Sequence, residues 1–377
     1  MSEPSEMQED RATDSVSRGS LTGKIFSWLR WPLAVSILAF LLAQNREGLE
    51  QVASRQIVWS WFVVAAALRL VTILIGTVRW WMLVRAQDIP FSFRDAMRFG
   101  FLGNLFNYVL PGSVGGDVTK VVLAVREKPE ARAVVAATVV LDRLLGLYSL
   151  VLVGALASLL HPSLWSHPEL GVVMLIFLGG SVTGLVGILI ALHPAALNSR
   201  VMKKLQALPK VGSLVTELCR GVALYQSRRR VLAAAVGLGL AVHVTNISAL
   251  VSCTAALGMV EAPSWLAHLL IVPVAEIAAA FLPLPGGIGA REGALQVLYG
   301  FLMGSESAMQ AGFFTGLSFS LLSVAIALAG GAWVFLQRDR GGQPDELPIE
   351  KASDATNPVS TDNPPSEPAR RSRTATS

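Results

Sequence analysis

Six stretches of this chain, at about 28–43, 57–84, 134–160, 171–192, 231–257 and 312–336, are poor in charge and approach or exceed the length needed to cross a bilayer. That recurrence constrains the fold more than any other feature. Over 377 residues the chain is 53% hydrophobic and 15% charged, with a mean hydropathy of +0.54, a balance that soluble domains rarely have. The expectation is an all-α polytopic membrane protein.

Two further apolar stretches, at about 95–132 and 265–304, are each interrupted by the same kind of phrase. The first reads Pro111-Gly112-Ser113-Val114-Gly115-Gly116-Asp117, and the second Pro285-Gly286-Gly287-Ile288-Gly289-Ala290-Arg291-Glu292. A helix loses hydrogen bonds at Pro-Gly, and charge is costly in hydrocarbon. Paired breaks at corresponding positions of two halves point to a transporter's binding site near the midplane. Both stretches are therefore read as hairpins that enter the membrane and return to the same side.

Basic residues orient this layout. Seven Lys or Arg lie from Arg85 to Arg132 and eight from Arg200 to Arg230, whereas 161–170, 258–264 and 305–311 have none and 44–56 has two. Six full spans and two re-entrant hairpins put every basic segment, and both termini, in the cytoplasm. Three spans separate the hairpins, so one enters from each side as an inverted repeat. Residues 1–26 and 338–377 read as disordered cytoplasmic tails around a domain at 27–337, with an uncleaved first span. The net charge of +5 comes from residues between hydrophobic segments, which argues against nucleic acid as a partner. Neither the two cysteines nor the five histidines have metal-ligand spacing, so no metal or cofactor is expected. Phosphate-loop, zinc-protease and nucleophile-elbow motifs are absent as well.

Candidate substrate-binding residues cluster at the breaks. Asn104 and Asn107 share a helix face ahead of the first. Gly112, Gly115 and Gly116 permit close backbone approach there, and Gly286, Gly287 and Gly289 do so at the second. Lys120, one turn beyond Asp117, meets either an anionic group or Asp117 itself. Glu276 sits in a strongly apolar run and needs a cation, a proton or water. It either pairs structurally with Arg291 or changes protonation. Arg291 and Glu292 open the helix after the second break. Asp142 and Arg143 lie inside the third span about 100° apart, so different partners are expected. Those partners are Lys120 or Arg291 for Asp142, and a phosphate or Glu276 for Arg143. Arg79, beside Trp80 and Trp81, reads as an interfacial anchor.

Three segments, GNLFNYVLPGSVGGDVTK (103–120), VVLDRLLGL (139–147) and FLPLPGGIGAREGAL (281–295), carry a resemblance. With the hydropathy layout over about 25–337, they resemble the transmembrane region of lysylphosphatidylglycerol synthases, the flippase-like domain family. Relatives with a soluble aminoacyltransferase domain lysylate phosphatidylglycerol and move the product across the membrane. After the last span here about 40 residues remain, too few for such a domain. The resemblance thus implies a stand-alone translocating half: a multi-pass protein of the bacterial inner membrane, not an enzyme, moving a phospholipid or other amphipathic lipid between leaflets. Lys120, Arg143 and Arg291 would contact an anionic headgroup, balanced by Asp117, Asp142, Glu276 and Glu292. The alternative is a non-catalytic membrane partner of a separately encoded lipid- or glycolipid-modifying enzyme.

Overall fold

The computed structural model describes residues 32, 35–110, 115–127, 132–166, 168–193, 195, 199–207, 212, 215–216, 223, 225–282 and 284–339. The tails expected at 1–26 and 338–377 lie outside them, apart from the final helical residues 338 and 339. So do Pro111 to Val114, and with them Gly112. Contacts separate a unit ending at Val334 from a short one beginning at Phe335, whose described part is the end of the last helix.

Among the described residues every regular element is helical. They run α1 (Val35–Gln44), α2 (Arg46–Ser54), α3 (Trp59–Arg85), α4 (Phe93–Val109), α5 (Gly115–Glu127), α6 (Arg132–Leu160), α7 (Pro168–Ala191), α8 (Arg200–Gln206), α9 (Arg229–Ala256), α10 (Trp265–Phe281), α11 (Ala290–Met303) and α12 (Glu306–Asp339). Short 3-10 turns follow α6 and α10. Within α3, α6, α7, α9 and α12 lie five stretches long and apolar enough to cross a bilayer. Their outward faces remain apolar: Val172, Leu175, Ile176, Val182 and Leu189 of α7 are all exposed, which suits hydrocarbon and not water.

Two boundaries differ from the sequence reading. The segment 44–56, between two expected spans, contains α2: Gly48 and Val52 are one turn apart, Gly48 lies against Phe314 and Val52 packs on the cluster of Leu257, Phe313 and Phe314. The last helix begins at Glu306 rather than near 312, since Ser305 Oγ accepts from Ala308 N at 3.1 Å and caps it. Of the first expected span, about 28–43, only residue 32 and α1 are described.

The bundle is built on α3 and α9, which run antiparallel. Val58 N donates to Ala256 O (2.9 Å) at one end, and Arg228 at the start of α9 donates to Ala86 O (2.7 Å) at the other. Between them the hydroxyls of Thr72 and Thr245 lie 2.9 Å apart. Small polar residues of this kind let membrane helices approach closely. At the basic end Arg228 also grips both oxygens of Asp88, at 2.8 and 2.7 Å. Tyr225 donates to Leu83 O there (2.8 Å); burial pushes its phenol up to about 12, so it stays a donor. At the opposite end Arg55 bonds Gly258 O (2.6 Å) and Ser305 bonds Glu261 (2.6 Å). The segments poor in Lys and Arg therefore gather at one end, and Arg85 and Arg228 at the other.

Candidate functional site

Each Pro/Gly phrase separates two short helices that pack on each other: α4 with α5, and α10 with α11. Ser92 caps α4 by accepting from Asp95 N (3.1 Å), and Ser264 caps α10 by accepting from Ala267 N (3.2 Å). Arg98 near the start of α4 pairs with Glu127 at the end of α5 (3.3 Å), so both outer ends of the first unit sit together.

In the first unit the helices touch backbone to backbone. A Cβ on Gly116 would collide with the Gly103 carbonyl oxygen and lie 2.7 Å from Asn107 Oδ1, which accepts from Gly116 N at 2.8 Å. A Cβ on Gly115 would lie 2.7 Å from Phe106 O. Gly116→Ala is therefore expected to destabilise the protein by about 1–3 kcal/mol, because a backbone carbonyl cannot swing aside. Gly293→Ala, with open space around its Cβ position, is the control. Thermal unfolding in detergent checks this; equal midpoints for the two variants would show that α4 and α5 are not in contact at Gly116.

Beyond that contact Asp117 is shared between two cations. Arg143 Nε reaches Oδ2 at 2.6 Å, and Lys120 Nζ lies 3.9 Å from Oδ1 and 5.7 Å above the Trp80 ring. Asn104 Nδ2 is buried nearby in sequence with no acceptor among the described residues. Of the two readings for Lys120, the structure gives the internal pairing with Asp117, as a long contact. The carboxylate that Arg143 grips is Asp117, while Glu276 takes Arg291 instead.

Asp142 faces the other way, as adjacent helical residues do. It takes a two-pronged ion pair from Arg79, with Nε–Oδ1 at 2.8 Å and Nη2–Oδ2 at 3.0 Å. This corrects two expectations: Asp142 pairs with neither Lys120 nor Arg291, and Arg79 is a buried ion-pair partner rather than an interfacial anchor. The guanidinium fits because the neighbouring helices present glycine. A Cβ on Gly146 or Gly239 would lie 3.1 and 3.2 Å from its nitrogens.

The second unit holds a larger network. Arg291 pairs with Glu276 through Nε–Oε1 at 3.1 Å and Nη2–Oε2 at 3.2 Å, the structural pairing read from sequence. Its Nη1 donates to Ser320 Oγ (3.1 Å), and Ser320 donates to Glu292 Oε1 (2.5 Å). The second oxygen of Glu292, a fully buried residue, accepts from Gly289 N (2.5 Å). Gly289 has φ +93°, a conformation that favours glycine and lets this N–H turn toward the carboxylate. Asn246 donates to Glu276 (3.4 Å) and accepts from Arg69 Nη1 (3.2 Å), while Arg69 Nε donates to Ser323 (3.1 Å). Both guanidinium groups lie 5.7 Å from the Phe319 ring centroid. His243, one helical turn from Asn246, hydrogen-bonds Gly146 O at 3.0 Å.

Ser320, Ser323 and Phe319 escaped the sequence reading. The available signal was the run Ser318-Phe319-Ser320-Leu321-Leu322-Ser323, where hydroxyls recur within a long apolar helix. Tyr108 was missed as well, although it joins the two units. Its ring occupies the place a Cβ on Gly286 would take, and α4 packs against the turn Pro285–Gly287. Gly287 packs on Ala279 of α10, where a Cβ would lie 2.6 Å from the alanine Cβ. The end of α4 thus meets the turn of the second break, with the Asp117 and Glu276 clusters built into the neighbouring helices.

The family described as the lysylphosphatidylglycerol synthase transmembrane region matches residues 30–331, which includes both breaks and every charge just described. The chain belongs to this family. It is an integral membrane protein with several membrane-spanning helices. No curated protein and no solved structure matches it. The match places the family domain over α1 to α12, so the networks at Asp117, Asp142 and Glu276 are all features of this chain's family domain.

Proposed function

We propose that this chain is a lipid translocase that moves a phospholipid or other amphipathic lipid between the leaflets of a bacterial inner membrane. In this reading the helix pairs α4–α5 and α10–α11 are re-entrant hairpins of opposite orientation, an inverted repeat. The first helix completes a set of six full spans, both termini are cytoplasmic, and the chain performs no covalent chemistry.

The observation that carries the reading is the contact between Tyr108 and Gly286, where the end of α4 meets the second helix break beside buried charge. Interrupted helices with polar groups at membrane depth are tolerated where they line a substrate path, and an inert anchor has no use for them. Buried ion pairs bring little net stability over apolar residues of the same size. The Glu276–Arg291 and Arg79–Asp142 pairs are thus better accounted for by work than by folding.

Leaflet exchange of labelled phospholipids in proteoliposomes tests the proposal. Wild type is expected to exchange lipid well above protein-free vesicles. Glu276→Gln/Arg291→Gln, which keeps the cluster neutral, is expected to lose most of that activity while remaining in the membrane. Exchange no faster than in empty vesicles, with a co-purifying lipid-modifying enzyme, would replace translocation with the partner role.

A further inference from the structure

We infer that α1 is a lateral gate: Ile37 covers the second break from the bilayer, and α1 swings about Asn45 to let the lipid in. The inference rests on the translocase reading and assigns the lipid's point of entry.

Side-chain exposure divides α1 into two faces. Ile37, Leu38, Leu41, Leu42 and Asn45 recur at helical spacing and turn toward the bundle, whereas Val35, Ala39, Phe40 and Ala43 are exposed. The helix therefore has protein on one side and hydrocarbon on the other. Its packed side meets the turn of the second break. A Cβ on Gly289 would lie 3.0 Å from Ile37 Cγ2, and Ile37 packs on Ala279, Leu284 and Ala290 around it. Three side chains cover that turn, and they differ in how they could be withdrawn. Ala279, against Gly287, belongs to α10 itself. Tyr108, over Gly286, stands on α4, which is packed on α3 and α5. Ile37 stands on a helix backed by lipid, so its withdrawal opens the turn directly to the bilayer.

The attachments of α1 are uneven along its length. At buried Asn45, Nδ2 reaches Gln296 Oε1 of α11 at 3.3 Å, and α2 follows at once with Gly48 seated against Phe314. Around Ile37 the contacts are aliphatic. In hydrocarbon such contacts carry no hydrophobic driving force, because acyl chains replace them on separation. A polar pair finds no substitute partner among acyl chains. Separation therefore costs little at Ile37 and more at Asn45. Asn45 is also the residue between α1 and α2, outside helical conformation at φ −104° and ψ 29°, where a change of backbone angle swings one helix against the other.

Tethering the full chain in proteoliposomes, in a Cys219→Ser/Cys253→Ser background, tests the gate. A reducible bis-thiosulfonate joins Ile37→Cys to Ala290→Cys, or to Leu284→Cys as a second position in the same cluster. With about 90% of molecules tethered, leaflet exchange of labelled phospholipid should fall about tenfold, because only the competent fraction carries lipid, and reduction should restore it. The same reagent across Asn45→Cys and Gln296→Cys, at the hinge, should leave exchange unchanged. Ala290 is 9% exposed beneath Ile37, so labelling of Ala290→Cys by a membrane-soluble maleimide reports opening and should be faster in Ile37→Ala. Undiminished exchange in the tethered Ile37 variants, with the untethered forms active, would overturn the gate and leave the translocase reading standing. If wild type exchanges no lipid, the translocase reading fails instead and labelling decides the gate. Equal labelling rates with Ile37 and with Ile37→Ala would overturn it, and faster labelling in Ile37→Ala would keep it as the access route to the second break.

Discussion

Glu276→Gln is expected to destabilise the folded chain by about 3 kcal/mol, because it leaves Arg291 without its carboxylate in a desolvated site. That figure is the lower end for breaking a buried pair, since 23% of the Glu276 side chain is accessible. The loss extends beyond one bond. Glu276 also accepts from Asn246, which orients Arg69, and the two guanidinium groups face the same Phe319 ring. Without the carboxylate the cluster carries an excess positive charge in a largely buried site. Arg291→Gln should cost a similar amount through the stranded Glu276. Glu276→Gln/Arg291→Gln, with the balance restored, should be at least about 1 kcal/mol more stable than the sum of the single effects implies. Unfolding midpoints in detergent, read as a double-mutant cycle, provide the measurement. Strict additivity would mean that the two groups are not paired in the folded protein.

Gly286→Ala is expected to cost about 2–5 kcal/mol, from two separate causes. Gly286 has φ +60°, and an L-residue pays about 1–2 kcal/mol to adopt the left-handed region. The added methyl also meets the Tyr108 ring, and overpacking of this kind costs roughly a further 1–3 kcal/mol. The causes can be separated. In a Tyr108→Ala background the collision disappears and the backbone cost remains, so Gly286→Ala should be milder there by the packing share. If the substitution costs the same in both backgrounds, the end of α4 does not touch the second break. Leaflet exchange in the same variants extends the test to the proposed translocation.

Five of the six expected spans coincide with long helices to within a few residues, because long apolar runs leave the backbone little alternative in hydrocarbon. The two broken stretches were equally legible: Pro-Gly forbids a continuous helix, and helices flank both phrases. The Glu276–Arg291 pair was legible too, since a carboxylate in apolar company needs a cation and Arg291 opens the helix across the turn. Partner choice across helices was not. Asp142 reached Arg79, and Arg143 reached Asp117, because both outcomes depend on helix rotation and register. Composition and hydropathy do not encode those. Ser320 was hidden for a different reason: a hydroxyl in an apolar helix often satisfies itself on its own backbone, as Ser149 does on Leu145 O. Only the folded arrangement reveals that Ser320 serves Arg291 and Glu292 instead. Tyr108 was an aromatic at a helix end until Gly286 was found against its ring.

The pairing of the second cluster has an electrical consequence. A unit charge carried across a membrane works with or against about 2.3 kcal/mol for every 100 mV. Arg69 and Arg291 offset Glu276 and Glu292, so a displacement of that cluster along the membrane normal is electrically silent. Voltage neither drives it nor holds it back.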